Sequence, residues 1–247
     1  MESQFFEEWL KKYAADFAPV VPFNPQDKLL LLDFTDANIE LTDEVLNDTN
    51  KFIVYINTKL KEAGAKYGVG GYAENRMIYK RSKVFDEENS SRFAFAVGDR
   101  GTGAARSLHL GIDIWGTPYT KVMTPANGIV HSFGFNNAYG DYGATIILTH
   151  NLNGKIFHTL YGHLSLNSIK NLHEGDAVYK GDVIAEFGLP FENGQWPPHL
   201  HFQIIKDMQG AKGDYPGVCA PSESKKYLAN CPNPDLILKM MQYAVKH

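Results

Sequence analysis

The chain has 247 residues, of which 44% are hydrophobic and 21% charged, and a net charge of −4. This is a globular composition with room for one large domain, or one domain and a substantial extension. It excludes the basic footprint of a nucleic-acid or anionic-membrane binder, and no apolar run is long enough for a transmembrane segment.

The first residues, Met1-Glu2-Ser3-Gln4-Phe5-Phe6-Glu7-Glu8, lack the basic and apolar regions of a signal peptide. The chain as written is therefore expected in the cytoplasm, and a trimmed form would be periplasmic or secreted. Phe5, Phe6, Trp9, Leu10, Tyr13 and Phe17 recur at helical spacing, which predicts a docking helix over 3–17 that ends before Pro19 and Pro22. Residues 28–33 predict a buried strand. Thr42 predicts an N-cap for one long helix that runs to Gly64. Residues 1–66 thus read as a helical N-terminal extension, with no chemistry of its own, that packs on a β core or narrows its groove.

Residues 67–107 read as a glycine-rich lead-in followed by a charged insert. The run from Tyr67 to Arg76 lacks the Lys-Ser/Thr of a phosphate loop. The insert carries Arg76, Lys80, Arg81, Lys83, Arg92, Arg100 and Arg106, interrupted by Asp86, Glu87 and Glu88. It predicts a solvated loop, or else a lid whose arginines hold a substrate carboxylate or phosphate.

Residues 108–206 hold the chemistry. His109-Leu110-Gly111-Ile112-Asp113 opens the segment, Tyr161-Gly162-His163-Leu164 follows, and His199-Leu200-His201-Phe202-Gln203-Ile204 closes it. In a strand, His199, His201 and Gln203 share one face while Leu200, Phe202 and Ile204 share the other. Each histidine alone also reads as an ordinary strand-end residue. Together the segments supply imidazole and carboxylate groups, and two ligands from the first segment with one from His-x-His would make an open zinc site. Between them, residues 128–135, 144–150, 155–162 and 182–188 predict short strands, with an Asn153-Gly154 hairpin turn. Glu174-Gly175-Asp176 and Lys180-Gly181-Asp182 are also similar to turns of biotinyl and lipoyl carriers, but no lysine stands at the expected hairpin tip. His131, His150, His158, His173 and His247 match no motif position and read as structural. Residues 207–247 form a tail that holds Cys219 and Cys231, whose spacing suits neither a CxxC motif nor a zinc ribbon. They read as two free thiols or a loop-closing disulfide. Asn233-Pro234 then begins a closing helix over 235–244.

These three segments, in this order and spacing, resemble the M23 metallopeptidases of the lysostaphin and LytM type, a resemblance that runs from about Leu108 to Ile205 and includes 124–130 and 175–185. The resemblance implies an α+β fold: an antiparallel β-sheet core of the M23, barrel-sandwich hybrid-like type, with the helical N-terminal extension and a short C-terminal helix. It implies Zn2+ held by His109, Asp113 and His201, with His163 and His199 as non-ligating catalytic residues. His199 is assigned to activating water and His163 to stabilising the intermediate or protonating the leaving amine, roles that could be exchanged. It also implies a zinc metallopeptidase, an M23-like endopeptidase that cleaves peptides or peptidoglycan fragments. Two alternatives stand beside it: a small-molecule amide hydrolase of the cytoplasm, and a non-catalytic binding or activating module. The thirty-residue separation of Arg76 from His109 departs from the family's commoner pattern. The tail is similar to M23-type modules fused to kinase-like and aminotransferase domains, which would suit a small phosphorylated or amino-acid substrate.

Overall fold

The computed structural model describes residues 2–86 and 105–246. Glu87, Glu88, Arg92, Arg100 and His247 lie outside the described residues.

The first helix, α1 (Glu2–Lys12), is shorter than expected and passes into a 3-10 turn at Ala14–Asp16. Its Phe6 and Trp9 rings pack at 6.2 and 6.0 Å from Phe157 in the sheet. The buried strand appears as β1 (Leu29–Leu32). The single helix expected from Thr42 to Gly64 is two, α2 (Asp43–Asn47) and α3 (Thr49–Ala63). Asp48 divides them: its backbone is extended and its carboxylate accepts from the amides of Asn50 and Lys51, so it serves as an N-cap where a continuous helix would have an interior residue. Gly64 ends α3 in the left-handed conformation.

The glycine-rich lead-in is itself a strand, β2 (Tyr67–Gly70). After it come β3 (Leu108–His109), β4 (Ile112–Trp115), β5 (Lys121–Met123), β6 (Gly128–Asn136), β7 (Gly143–Leu152), β8 (Lys155–Leu164), β9 (Ala177–Val178), β10 (Val183–Glu186) and β11 (His199–Ile205). The tail adds β12 (Val218–Cys219), α4 (Ser224–Asn230), α5 (Asp235–Leu238) and β13 (Ala244–Val245). The expected closing helix stops at Leu238 because Lys239 turns left-handed and the Asp235 carboxylate takes the amides of Met240 and Met241. The helix α4 had no signal that the sequence reading used.

Among the described residues the main sheet has nine strands in the order β13-β1-β2-β4-β11-β8-β7-β6-β9. From β2 through β9 the pairings are antiparallel, and the parallel pairs lie at the β13-β1-β2 edge. The fold is thus α+β with an antiparallel core and helical pieces at both ends. The β7–β8 hairpin turns at Asn153 and Gly154, both at positive φ, as an Asn-Gly turn requires.

Strand alternation sorts the two faces. Ile112, Ile114, Leu200, Phe202 and Ile204 point into the larger apolar core that α1 covers. The opposite face of β4 and β11 carries Asp113, Trp115, His199, His201 and Gln203. There α3 packs Phe52 against Trp115 and Trp196, at 5.8 and 6.4 Å between rings. Of the N-terminal helices, α2 and α3 therefore build the wall behind the polar face, while α1 covers the other.

His150 tests this packing. It is fully buried, donates from Nδ1 to Asn127 O (3.0 Å), and stacks on Phe157. Burial pulls its pKa down to about 4. An unfolded chain takes up that proton below about pH 6.5, so the native state loses stability as pH falls from there, on the order of 3 kcal/mol once pH 4 is passed. His150→Gln is expected to flatten the acid limb of the urea midpoint plotted against pH. An unchanged slope between pH 7 and 4 would show that His150 does not titrate as its burial demands.

Candidate active site

Antiparallel register places four polar-face residues together. His201 lies opposite Asp113 and His199 opposite Trp115, so the i, i+2 pairs of β4 and β11 form one patch. His109 reaches the patch from β3, which is held separately by β12. Gly111 makes this possible: a Cβ there would lie 2.5 Å from the His201 ring and 2.8 Å from Phe202 O.

His109, Asp113 and His201 converge in the buried layer. His109 Nε2 lies 3.0 Å from His201 Nδ1, and Asp113 Oδ1 lies 3.3 and 3.1 Å from these two atoms. The outer nitrogens determine what those inner atoms carry. His109 Nδ1 donates to Gly71 O at 3.0 Å, which leaves Nε2 with a lone pair. His201 Nε2 donates to Gln203 Oε1 at 2.9 Å, which leaves Nδ1 with a lone pair. The Gln203 amide cannot be reversed, because its NH2 donates to Pro216 O and Cys231 Sγ. Three acceptor atoms thus face one another at hydrogen-bond distance with no proton among them. Such a set repels itself and suits a cation, with outer-shell partners of the kind that orient metal ligands. Among the described residues this is the group of His, Cys, Asp or Glu side chains that could hold a metal ion.

Charge supports the same geometry. Burial alone would raise the Asp113 carboxyl, but the positive charge facing it, for which Arg76 is the permanent source, holds it well below the usual range. Burial, followed by the Arg76 charge, pulls His109 down to about 4, so its imidazole is neutral. Arg76 is buried, with Nη1 on Asp113 Oδ2, Nε on Glu74 at 2.7 Å and Nη2 on Gly71 O at 3.3 Å. One guanidinium therefore braces both the acidic member of the cluster and the carbonyl that orients His109.

His163 and His199 stand beside the cluster with their rings stacked at 4.1 Å. Each is locked in the same tautomer: His163 Nδ1 donates to Asn193 O and His199 Nδ1 to Pro197 O, both at 2.8 Å. Both Nε2 atoms are left as acceptors. His163 adopts φ 63°, a strained value for a residue with a side chain. Burial pulls His199 down to about 4; burial, then the His199 charge, holds His163 well below its ordinary value. Trp115 stacks flat on His199, with ring centroids 3.8 Å apart.

A cavity of about 510 Å³ opens onto these residues. Asp113, His163, His199 and His201 contribute to its wall, as do Tyr142 and Arg81. Sequence reasoning missed Tyr142, whose hydroxyl lies 3.4 Å from His201 Nε2. It placed Arg76 and Arg81 in a charged insert; both are buried in this layer. Gln203 had been placed on the ligand face by strand parity, without a role. Cys219 and Cys231 are both free and buried, and Cys231 serves to orient Gln203.

Residues 107–213 match the family model of peptidase family M23. This segment, less than half of the chain, is of the M23 type. It is similar to the catalytic domain of the antimicrobial peptidase lysostaphin from Staphylococcus simulans, at 26% identity over 51% of this chain and 84% of that one, with a TM-score of 0.35. It is similar to LytU at 28% identity over 51% and 76%, TM-score 0.34. A zinc-containing peptidase from Vibrio cholerae matches at 26% identity over 42% of this chain and 28% of that one, TM-score 0.32. No curated protein matches the chain. The M23 segment begins two residues before His109 and ends past His201, so it carries the whole convergent cluster. Arg76, Arg81 and the aromatic wall made by α3 lie outside it. Among the described residues no helix is long and apolar enough to cross a membrane.

Proposed function

We propose that this chain is a zinc-dependent hydrolase of a peptide bond, with zinc held by His109, Asp113 and His201. The observation that carries the proposal is the convergence of three lone pairs whose protons are engaged elsewhere, on Gly71 O and Gln203 Oε1. Two imidazoles and one carboxylate favour zinc over harder cations, and three protein ligands leave a position for substrate or water. Zinc there would polarise the scissile carbonyl and lower the pKa of a water molecule.

The remaining chemistry belongs to the side chains. His199 is assigned as the general base: its Nε2 is free, its Nδ1–H is anchored, and Trp115 stacked on its face stabilises the positive ring that proton uptake creates. His163 takes the second role, holding developing negative charge or delivering a proton to the leaving amine. Two rings stacked at 4.1 Å repel when both are charged, so one proton at a time passes through the pair.

The substrate is a peptide or peptidoglycan fragment, as the family suggests. The cavity supports a second reading, a small-molecule amide hydrolase, because Ile78, Tyr79, Val84 and Phe85 wall it and suit a compact substrate over a polymer. In neither reading is a nucleic acid the partner.

The test is a mass-spectrometric digest of glycine-rich peptides, cross-linked wall peptides and short amides by the zinc-loaded chain. His199→Ala is expected to retain zinc and lose turnover by about a hundredfold or more. Cleavage of wall peptides selects the endopeptidase, and cleavage of short amides alone selects the second reading. If zinc binds and nothing is cleaved by either protein, the hydrolase reading fails in favour of a binding module.

A further inference from the structure

Arg81 is 7% exposed and lies in the cavity wall. Its Nε and Nη2 donate to the Tyr139 hydroxyl at 3.1 and 2.7 Å; Nη2 also reaches Thr49 Oγ1 and Gln195 O at 2.9 and 3.1 Å. All these partners are neutral, and none of the ion pairs among the described residues involves Arg81. Its Nη1 is buried and has no hydrogen-bond partner among the described residues.

The contrast with Arg76 is informative. Arg76 is buried more deeply still but holds two carboxylates. A buried guanidinium left without a counter-ion is costly unless something supplies the charge. Arg81 is held rigidly for that purpose: Trp196, Tyr139 and Phe52 rings surround it at 4.6, 5.1 and 5.5 Å. Trp196 and Trp115 also line the cavity, and the Nε1 of each is buried without a partner among the described residues. Arg106, whose Nε is likewise buried without a partner among the described residues, lines the same cavity, and these four unmet donors call for a ligand group that only accepts. The two carboxylates elsewhere in that wall, Asp141 and Asp214, form no ion pair with Arg81.

We propose that the cavity receives a substrate bearing a free carboxylate, which pairs with Arg81 Nη1 while the amide to be hydrolysed lies at the His109, Asp113 and His201 cluster. Arg81 Nη1 offers one unmet donor within an aromatic surround, which suits the flat, singly charged carboxylate, and phosphate is the competitor to be tested because Lys83 and Arg106 also line the cavity. Trp196 neighbours both groups: its ring lies 4.6 Å from the Arg81 guanidinium and 6.2 Å from the rings of His163 and His199. The carboxylate and the cleaved bond therefore belong to one short molecule, such as the C-terminal part of a peptide or an acylated amino acid. This rests on the hydrolase reading for the bond that is cut, but the carboxylate site can be measured by itself.

The experiment titrates the full-length, zinc-loaded chain with N-acetylglycylglycine, its C-terminal amide and inorganic phosphate, following tryptophan fluorescence, and repeats the titrations after chelation. The acid is expected to bind ten- to hundredfold more tightly than the amide, with or without zinc. Arg81→Gln is expected to abolish that preference, and Arg81→Lys to restore part of it. Equal binding of acid and amide, or no saturable change with either, overturns the proposal, and does so even if the variants fail to fold. A preference that vanishes on chelation places the carboxylate on the metal and also overturns it, as does phosphate binding more tightly than the acid. Hydrolysis with no carboxylate preference sinks this inference alone. Carboxylate-selective binding without any hydrolysis keeps it and sinks the hydrolase reading.

Discussion

His201→Ala is expected to lose zinc and activity together. His201 supplies one of three convergent lone pairs, and Nδ1 is the atom that lies within 3.1 Å of both partners. Structural zinc sites are worth about 10–16 kcal/mol, so removal of one ligand in three costs about 3–5 kcal/mol of metal affinity, or two to four decades. Alanine also removes the donor to Gln203 Oε1 and the long contact to the Tyr142 hydroxyl, but the Gln203 NH2 stays tied to Pro216 and Cys231. The fold should therefore survive. The check is zinc stoichiometry by plasma mass spectrometry after dialysis, with turnover of whichever substrate the digest identifies. Full zinc content and full turnover in His201→Ala would remove the proposed metal site. Loss of both here, set against loss of turnover alone in His199→Ala, would separate holding the metal from moving the proton.

Arg76→Met is expected to cost about 3–5 kcal/mol of stability in the chelated protein, because it leaves a buried carboxylate without its cation. Asp113 and Arg76 are both almost fully buried, and Glu74 and Gly71 O are bound by the same guanidinium. Methionine fills similar volume, so the loss reports charge and hydrogen bonds more than packing. Zinc at the cluster would supply positive charge beside Asp113, so the deficit should shrink when the metal is restored. Urea unfolding of both proteins, with zinc and with chelator, measures the difference. A deficit under about 1 kcal/mol in chelator would show that Arg76 is not the counter-ion that its geometry implies.

The sequence carried the chemistry of this site because strand parity and motif order are local. His199, His201 and Gln203 had to share a face if 199–205 was a strand, and the structure puts all three in the same buried layer. The three His- and Asp-bearing segments were legible in the same way, and with them the family. Local reading also had clear limits. One helix became two at Asp48 because an aspartate is a better cap than a helix interior, a signal present in the sequence but outweighed by the apolar periodicity around it. The glycine-rich lead-in became a central strand because its partner, β4, is 43 residues or more away in the chain, and pairing at such a distance leaves no periodic trace.

What the sequence by itself determined was the identity of the groups: which imidazoles, which carboxylate, and on which side of each strand. What only the tertiary structure decided was their state. The outer partners Gly71 and Gln203 select the tautomers of His109 and His201, and Arg76 sets the charge of Asp113. The same holds for Arg76 and Arg81 of the insert, of which the first meets two carboxylates and the second, among the described residues, none. Protonation and pairing depend on what approaches through space from distant segments, and burial magnifies each such approach by excluding the water that would otherwise screen it.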